Sequence, residues 1–235
     1  MILPRAILFD LDDTIISAYA RPLVAWGKVA REFAGALAPR DPQSAAEAIA
    51  AEAMAFWGDA GRDHSVWRLR LLEARRLIVA AALPTYDRAL TDAMAERFTR
   101  LRDEEMHLFP GAVETLEELR RRGVLMALIT NGAGEVQRAK IERFALAAHF
   151  HHVQIEGEHG FGKPEERAYR HALGSLGVGA AETWMVGDNL EWEVAAPQRL
   201  GIYAIWYDGE GKGLPANAPA QPDRIITSLR ELLPR

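Results

Sequence analysis

The feature that most constrains the fold is a repeated alternation between two kinds of sequence. Short runs rich in Ile, Val and Leu each lead into a polar or glycine-containing turn, and helical patterns lie between them. Short runs that are apolar on both faces are typical of parallel strands covered by helices. The alternation therefore predicts an α/β fold with a doubly wound parallel sheet. The predicted strands are residues 6–9, 124–129, 153–155, 183–186, 202–206 and 224–226.

Helices are predicted between and after these strands, at residues 111–122, 135–145, 165–176 and 228–233. The first of them ends at Gly123, and glycine commonly ends a helix. The last begins with Ser228 followed three residues later by Glu231, which is the spacing of a capping box.

A long segment without a convincing strand separates the first predicted strand from the others. Residues 17–107 are dominated by Ala, Arg, Glu and Leu, and the pattern predicts four helices near 19–37, 42–57, 64–83 and 86–103. Asp41 followed by Pro42 is a favourable start for the second of these. We interpret 17–107 as a helical domain inserted into an α/β core made of residues 1–16 and 108–235.

Charge and composition exclude several classes of function. The 235-residue chain has a formal net charge of −5, which disfavours a broad basic surface for nucleic acid, and it contains no cysteine for disulfides or thiolate metal sites. No apolar run approaches the about 20 residues of a membrane span, and carboxylates interrupt the apolar N-terminal run before it resembles a signal peptide. We expect a cytoplasmic protein that binds neither nucleic acid nor membrane; its oligomeric state is left open.

Acidic residues follow the first predicted strand directly, at Asp10, Asp12 and Asp13, with Thr14 beside them. Ligands of open parallel sheets bind outside the carboxyl ends of the strands. Two carboxylates so close together repel each other, and a divalent cation with a preference for oxygen ligands, such as Mg²⁺, would relieve that repulsion. A turn without a ligand is the alternative, because Asp is common in turns.

A second polar turn follows the predicted strand 124–129. Thr130, Asn131 and Gly132 offer a hydroxyl, an amide and exposed backbone N–H groups, which together suit phosphate oxygens. The helix predicted next would add the N–H groups of its first turn. The alternative is an ordinary turn, since Asn-Gly is also a turn dipeptide.

Two more candidates come from later turns. Lys163 is one of only four lysines, and it stands between Gly162 and Pro164 at the start of a predicted helix. Its cation could balance a phosphate or a carboxylate, or it could be an exposed loop lysine. Asp188 follows the strand 183–186 and could complete a metal site with Asp10, or serve as the N-cap of a helix starting near Leu190.

As an ordered set, these motifs resemble those of the haloacid dehalogenase (HAD) superfamily of hydrolases. The residues that carry the resemblance are Asp10, Asp12 and Thr14, then Thr130, then Lys163 and Pro164, and last Gly187 and Asp188. It covers the chain outside the helical insert, and the insert is similar to the all-helical cap found in one branch of the superfamily. The order and spacing make the set highly specific.

The resemblance implies a division of roles. Asp10 would be the nucleophile that takes up the phosphoryl group, and Asp12 the acid that protonates the leaving oxygen and then activates water. Thr130 with the amides of Asn131 and Gly132 would hold the phosphate, Thr14 belongs to the same substrate-binding set, and Lys163 would balance charge. Mg²⁺ would be held by Asp10, the backbone carbonyl of Asp12, and Asp188.

One position departs from the family pattern. A second Asp often stands five residues after the first in the fourth motif, and here that position is Glu193. Direct ligation of the metal by Glu193 is not expected, and whether it assists the metal site is left open.

The expected activity is hydrolysis of a small phosphomonoester through an aspartyl-phosphate. Within the superfamily, a dehalogenase is disfavoured because Asp12 and Asp188 are both present, and a phosphomutase stays open. A non-catalytic binding module that kept the fold is the alternative outside enzymes. The sequence does not indicate the natural substrate. Candidate substrate contacts in the cap are Arg21, Trp26, Trp57 and Arg62, and the cluster His149, His151, His152 is expected to be solvated.

Overall fold

The computed structural model describes residues 2–59 and 61–234, which fall into two compact units. We call the first the core unit; it combines the residues up to Ser17 with those from His107 onward. The second, the helical unit, is Ala18–Met106. No helix within the described residues is both long and apolar enough to span a lipid bilayer.

The helical unit contains more helices than the four predicted. They are α1 (Pro22–Glu32), α2 (Ala34–Leu37), α3 (Pro42–Gly58), α4 (His64–Leu69), α5 (Leu71–Ala82) and α6 (Arg88–Glu105). The helix predicted at 19–37 is interrupted at Phe33, and that at 64–83 at Arg70, because both residues have non-helical backbone. α4 buries no residue whereas α5 buries Ala74 and Ile78, so packing does not require the two to continue as one helix.

Aspartates begin three of these helices, which explains where they start. The carboxylates of Asp41, Asp63 and Asp87 accept backbone N–H groups from the first turns of α3, α4 and α6. Inside the unit, Trp26 is buried and stacks on Phe98 with 3.7 Å between ring centroids. Trp26, suggested above as a substrate contact, is therefore part of the hydrophobic core of this unit.

The described residues of the core unit form eight strands, and six of these make up one parallel sheet. The strands are β1 (Ala6–Phe9), β2 (Ile16–Ser17), β3 (His107–Leu108), β4 (Leu125–Thr130), β5 (His152–Ile155), β6 (Thr183–Gly187), β7 (Tyr203–Tyr207) and β8 (Arg224–Ile226). The order in the sheet is β5-β4-β1-β6-β7-β8, and β2 and β3 form a separate antiparallel pair. The predicted strands agree within one residue at each end, and the α/β class is confirmed.

Helices of the core unit connect these strands. They are α7 (Ala112–Arg121), α8 (Gly134–Arg143), α9 (Glu156–His159), α10 (Glu166–Leu176) and α11 (Ala196–Gln198), with a π-helical turn at Leu190–Ala195. The helix predicted at 228–233 is a 3₁₀ helix, Leu229–Leu232, with the Ser228–Glu231 capping box in place. Tyr169 and Ala172 of α10 pack on Leu8 of β1 and Ala127 of β4, which are fully buried.

The strand order sets the location of the site. Numbered along the chain, the six strands follow the order 3-2-1-4-5-6, so the direction of the order reverses between β1 and β6. Open α/β sheets bind ligands in the crevice at this reversal, outside the carboxyl ends of the strands. β1 pairs with β4 on one side and β6 on the other, which brings the ends of these three strands together.

Candidate active site

Asp10 lies at the centre of the three strand ends. It follows β1, and its backbone N–H donates to the Val186 carbonyl of β6 at 2.9 Å. Its carboxylate is buried; Oδ1 lies 2.5 Å from the Lys163 ammonium, and Oδ2 accepts a hydrogen bond from the Thr14 hydroxyl at 3.2 Å. Burial raises the pKa of Asp10, with Lys163 opposing that effect. Lys163 and Thr14 thus fix the orientation of both carboxylate oxygens of Asp10.

Thr14 contacts Asp10 through its side chain. The residue is fully buried, and its hydroxyl proton goes to Asp10. Its place four residues after Asp10 lets the turn fold back, so that the Thr14 hydroxyl orients the Asp10 carboxylate. In the structure the Thr14 hydroxyl therefore positions the Asp10 carboxylate, and its assignment to the substrate-binding set stays a prediction.

Lys163 is a buried cation between two carboxylates. Its Nζ lies 2.5 Å from Asp10 Oδ1 and 2.7 Å from Glu193 Oε1, and the side chain is 1% exposed. Burial alone would lower the pKa of Lys163, but the charges of Asp10 and Glu193 outweigh it and raise the pKa above its ordinary value. The exposed loop lysine, which was the alternative, is excluded.

Asn131 connects the second motif to the third. Its Nδ2 donates to the Lys163 carbonyl at 2.7 Å, and its Oδ1 accepts from the Lys163 N–H at 2.9 Å. Both polar ends of the side chain are used in this clamp. The side chain of Asn131 therefore positions the loop that carries Lys163.

The Gly132 amide is also engaged. It donates to Glu156 Oε2 at 2.9 Å, while the Gly132 carbonyl accepts from the Gly157 N–H at 3.0 Å. In the structure this N–H donates to Glu156, which the sequence did not single out, and phosphate binding by Gly132 stays a prediction.

Glu193 holds Lys163 and the fourth motif in place. Its Oε2 accepts the Asn189 N–H at 2.8 Å, and burial raises its pKa to about 7 despite the nearby Lys163. A Cβ added to Gly187 would lie 2.1 Å from Glu193 Cγ, so only glycine lets this side chain pass the end of β6. Lys163 contacts one carboxylate oxygen of Glu193, and the Asn189 N–H donates to the other. Glu193 therefore supports the position of Lys163.

Asp188 uses its backbone, and not its carboxylate, as a hydrogen-bond acceptor among the described residues. Its backbone carbonyl accepts from Trp206 Nε1 at 2.6 Å, but within residues 2–59 and 61–234 its carboxylate accepts no hydrogen bond. The N-cap role belongs instead to Asn189, whose Oδ1 accepts the N–H groups of Glu191 and Trp192. Burial, then the charges of Asp10 and Glu193, raise the pKa of Asp188 well above its ordinary value.

This donor set fits Mg²⁺. The negative charges of Asp10 and Glu193 add to burial in raising the pKa of Asp188, while the Lys163 cation pairs with Asp10 and Glu193. Excess negative charge with unshared carboxylate oxygens is what a divalent cation with oxygen ligands requires.

Asp12 is held by two residues that the sequence analysis did not assign. Both of its carboxylate oxygens lie 2.8 Å from the Lys140 ammonium, and Oδ2 also accepts from Gln137 Nε2 at 2.9 Å. Gln137 Nε2 in addition donates to the Thr130 hydroxyl at 2.5 Å. Gln137 and Lys140 lie three residues apart, on one face of α8 directly after the second motif. This spacing is the sequence signal that could have indicated a shared contact.

Comparison with known proteins identifies the family of this chain. The family described as haloacid dehalogenase-like hydrolase matches residues 4–201. The chain belongs to this family. It is a hydrolase of the HAD type, and the resemblance stated from its motifs is confirmed.

Curated relatives of this HAD hydrolase are phosphatases. This chain is 40% identical to the phosphoserine phosphatase of Thermus thermophilus, and the match covers 77% of this chain and 67% of that protein. It is 33% identical to the ribulose-1,5-bisphosphate 5-phosphatase of Halopiger xanaduensis, over 94% and 91% of the two chains. These matches show a HAD phosphatase.

Solved structures show the same fold. The HAD phosphatase of Thermococcus onnurineus has a TM-score of 0.64 and 25% identity over 97% of this chain and 95% of that one. The 2-haloacid dehalogenase of Pseudomonas syringae pv. Tomato has a TM-score of 0.61 and 27% identity over 98% and 96%. The fold is thus shared by two chemistries, and the site residues must decide between them.

Proposed function

We propose that this protein is a Mg²⁺-dependent phosphatase that hydrolyses a small phosphomonoester through an aspartyl-phosphate on Asp10. The observation that carries the proposal is the buried Asp10 carboxylate, oriented by Thr14 and Lys163, beside the unshared carboxylate of Asp188. Mg²⁺ would be held by Asp10, Asp188 and the backbone carbonyl of Asp12, where it would neutralise the nucleophile and the phosphoryl oxygens.

In the first step, an Asp10 oxygen forms a bond to phosphorus while the bond from phosphorus to the ester oxygen breaks. Asp12 gives its proton to that leaving oxygen. In the second step, Asp12 takes a proton from water, the water oxygen bonds to phosphorus, and the bond to Asp10 breaks to release phosphate. Division into two displacements lowers the barrier of each.

The ion pair of Asp12 with Lys140 bears on the first step, which needs a protonated Asp12. A phosphate ester that enters beside Asp12 brings negative charge that competes with Asp12 for the Lys140 cation. The contacts of Asp12 with Lys140 and Gln137 would thus loosen as the substrate binds. The Thr130 hydroxyl would bind a phosphate oxygen.

The helical unit would act as a cap that selects the substrate and excludes water, as caps do in this family. The relatives are named for phosphoserine and sugar phosphates, so we propose a small phosphorylated metabolite as the substrate. A screen of such esters with and without Mg²⁺, with freed phosphate as the measurement, would identify the class. Transfer of phosphate to another site of the substrate, without release, would indicate the phosphomutase instead.

Asp10→Asn tests the nucleophile. We expect at least about a 10³-fold loss of phosphate release, because an amide cannot form the acyl phosphate. Denatured wild-type protein quenched during turnover should carry the mass of one phosphoryl group, and Asp10→Asn should not. Asp92→Asn, which alters a surface pair with Arg88, is the matched control and should keep wild-type activity. Turnover by Asp10→Asn at the wild-type rate would contradict the proposal.

Asp12→Ala tests the acid. Loss of a general acid costs about 10²–10⁴-fold when the leaving oxygen is basic. We therefore expect a large decrease in kcat for alkyl phosphates and a smaller one for a nitrophenyl phosphate. Equal decreases for both substrates would show that Asp12 does not protonate the leaving group.

A further inference from the structure

Three histidines from different elements of the core unit lie together. His152 is the first residue of β5, His159 the last residue of α9, and His171 lies in α10. One ring nitrogen of each lies within 4.8 Å of the other two. The ring centroids are 5.3 Å apart for His152 and His171, and 5.0 Å apart for His159 and His171. The sequence analysis grouped His152 with His149 and His151; the folded chain groups it with these two residues instead.

In His159 and His171 the Nδ1 atom is hydrogen-bonded, which leaves Nε2 of each ring to bind a ligand. The Nδ1 of His159 lies 3.1 Å from the Ile155 carbonyl, which can only accept, so Nδ1 carries the proton and Nε2 the lone pair. The Nδ1 of His171 lies 2.8 Å from Gln154 Oε1. Gln154 Nε2 donates to the Ala168 carbonyl at 3.0 Å, which fixes the amide so that Oε1 faces the histidine. Such a second contact is typical of metal-binding histidines.

The third ring has a buried nitrogen without a partner. His152 Nε2 is shielded from solvent and forms no hydrogen bond with the described residues. Buried polar atoms are normally paired, so this ring nitrogen, next to two imidazoles, is available to a ligand.

We propose that His152, His159 and His171 bind one divalent transition metal ion of the Zn²⁺ class, at a site separate from Asp10 and Asp188. Imidazole nitrogen suits Zn²⁺, Cu²⁺ and Ni²⁺, whereas Mg²⁺ prefers oxygen. Three nitrogens this close can reach the about 2.0–2.1 Å of a Zn–N bond by small ring rotations, with water as the fourth ligand.

The ion would join β5, α9 and α10 at one point. α9 begins at Glu156, which accepts the Gly132 N–H, and ends at His159, four residues before Lys163. Fastening His159 would thus stabilise the segment between two groups of the active site. The site therefore links metal binding to the stability of the loop that presents Lys163.

The test is calorimetric titration of the protein, free of any polyhistidine tag, with Zn²⁺ in excess Mg²⁺. We expect one ion per chain, a rise in Tm, and, with Co²⁺ as the probe, the visible absorption of a tetrahedral nitrogen site. His171→Ala is the first variant, since His171 is exposed, and His159→Ala is the second. Each should weaken binding by at least about tenfold.

Two controls separate this site from the active site and from surface histidines. His149→Ala removes a histidine outside the cluster and should bind Zn²⁺ as the wild type does. Asp188→Asn should also retain binding. The proposal is overturned if the wild type takes up no Zn²⁺ at about 100 µM, if both cluster variants bind normally, or if Asp188→Asn abolishes binding.

Discussion

At the scale of single residues, the Lys163 ammonium determines the electrostatics of the site. The ammonium is buried between Asp10 and Glu193, and the Asn131 side chain forms two hydrogen bonds with the backbone of Lys163. Breaking a buried ion pair by removing one partner costs about 3–5 kcal/mol, because the remaining charges stay buried without compensation.

Lys163→Met should therefore lower the free energy of unfolding by about 3–5 kcal/mol in the absence of Mg²⁺. Urea unfolding followed by circular dichroism measures it. The matched control is Lys28→Met, which removes a lysine that is 44% exposed and pairs with Glu105; its effect should stay within about 1 kcal/mol. Equal effects of the two variants would show that burial of Lys163 does not matter for stability.

At the scale of elements, the end of β6 combines a glycine, a capping asparagine and a π-helical turn. Asn189 takes over the N-cap, which leaves the Asp188 carboxylate unshared, and the turn Leu190–Ala195 carries Glu193 back past Gly187 toward Lys163. π-Helical turns are rare and occur often at functional sites. An ordinary helix was expected here, because the apolar pattern does not distinguish a π-helical turn from an α-helix.

Gly187→Ala should displace Glu193, because the new Cβ would lie 2.1 Å from Glu193 Cγ. We expect a loss of about 1–3 kcal/mol in stability, as for overpacked cores, together with at least about a tenfold decrease in kcat as Lys163 loses its support. The measurements are urea unfolding and phosphate release.

Gly174→Ala is the control for this substitution. Gly174 lies in α10, and a Cβ there would meet no atom within 4 Å. Alanine should stabilise the protein by about 0.5–1 kcal/mol through its better helix propensity. If Gly187→Ala were as well tolerated as Gly174→Ala, the close passage of Glu193 would not be required.

At the scale of the whole molecule, the buried carboxylates link stability to pH and to Mg²⁺. The pKa values of Asp10 and Asp188 are raised mainly by burial, and that of Glu193 is raised to about 7. A raised pKa means that the folded state binds protons more tightly than the unfolded state. Without metal, these groups therefore cost stability as the pH rises from their ordinary values toward about 7.

Mg²⁺ needs the ionised carboxylates and should reverse this cost. We expect a larger rise in Tm on addition of Mg²⁺ at about pH 8 than at about pH 5.5, measured by differential scanning calorimetry. Asp188→Asn should lose most of the Mg²⁺ increment at the higher pH. An increment that is the same at both pH values would contradict binding through these carboxylates.

The sequence by itself determined the α/β class, the strand positions within one residue, and the residue types that gather at the strand ends. This was possible because strand burial and motif spacing are local properties: Asp10, Lys163 and Asp188 each follow a recognisable pattern. Only the tertiary structure decided which group each side chain contacts. Thr14 and Asn131 orient other active-site groups, Gly132 is bound by Glu156, and Asp12 is held from α8, because partners up to 128 residues away compete for the same hydrogen-bonding atoms. Such competition depends on distances in three dimensions, which spacing along the chain does not contain.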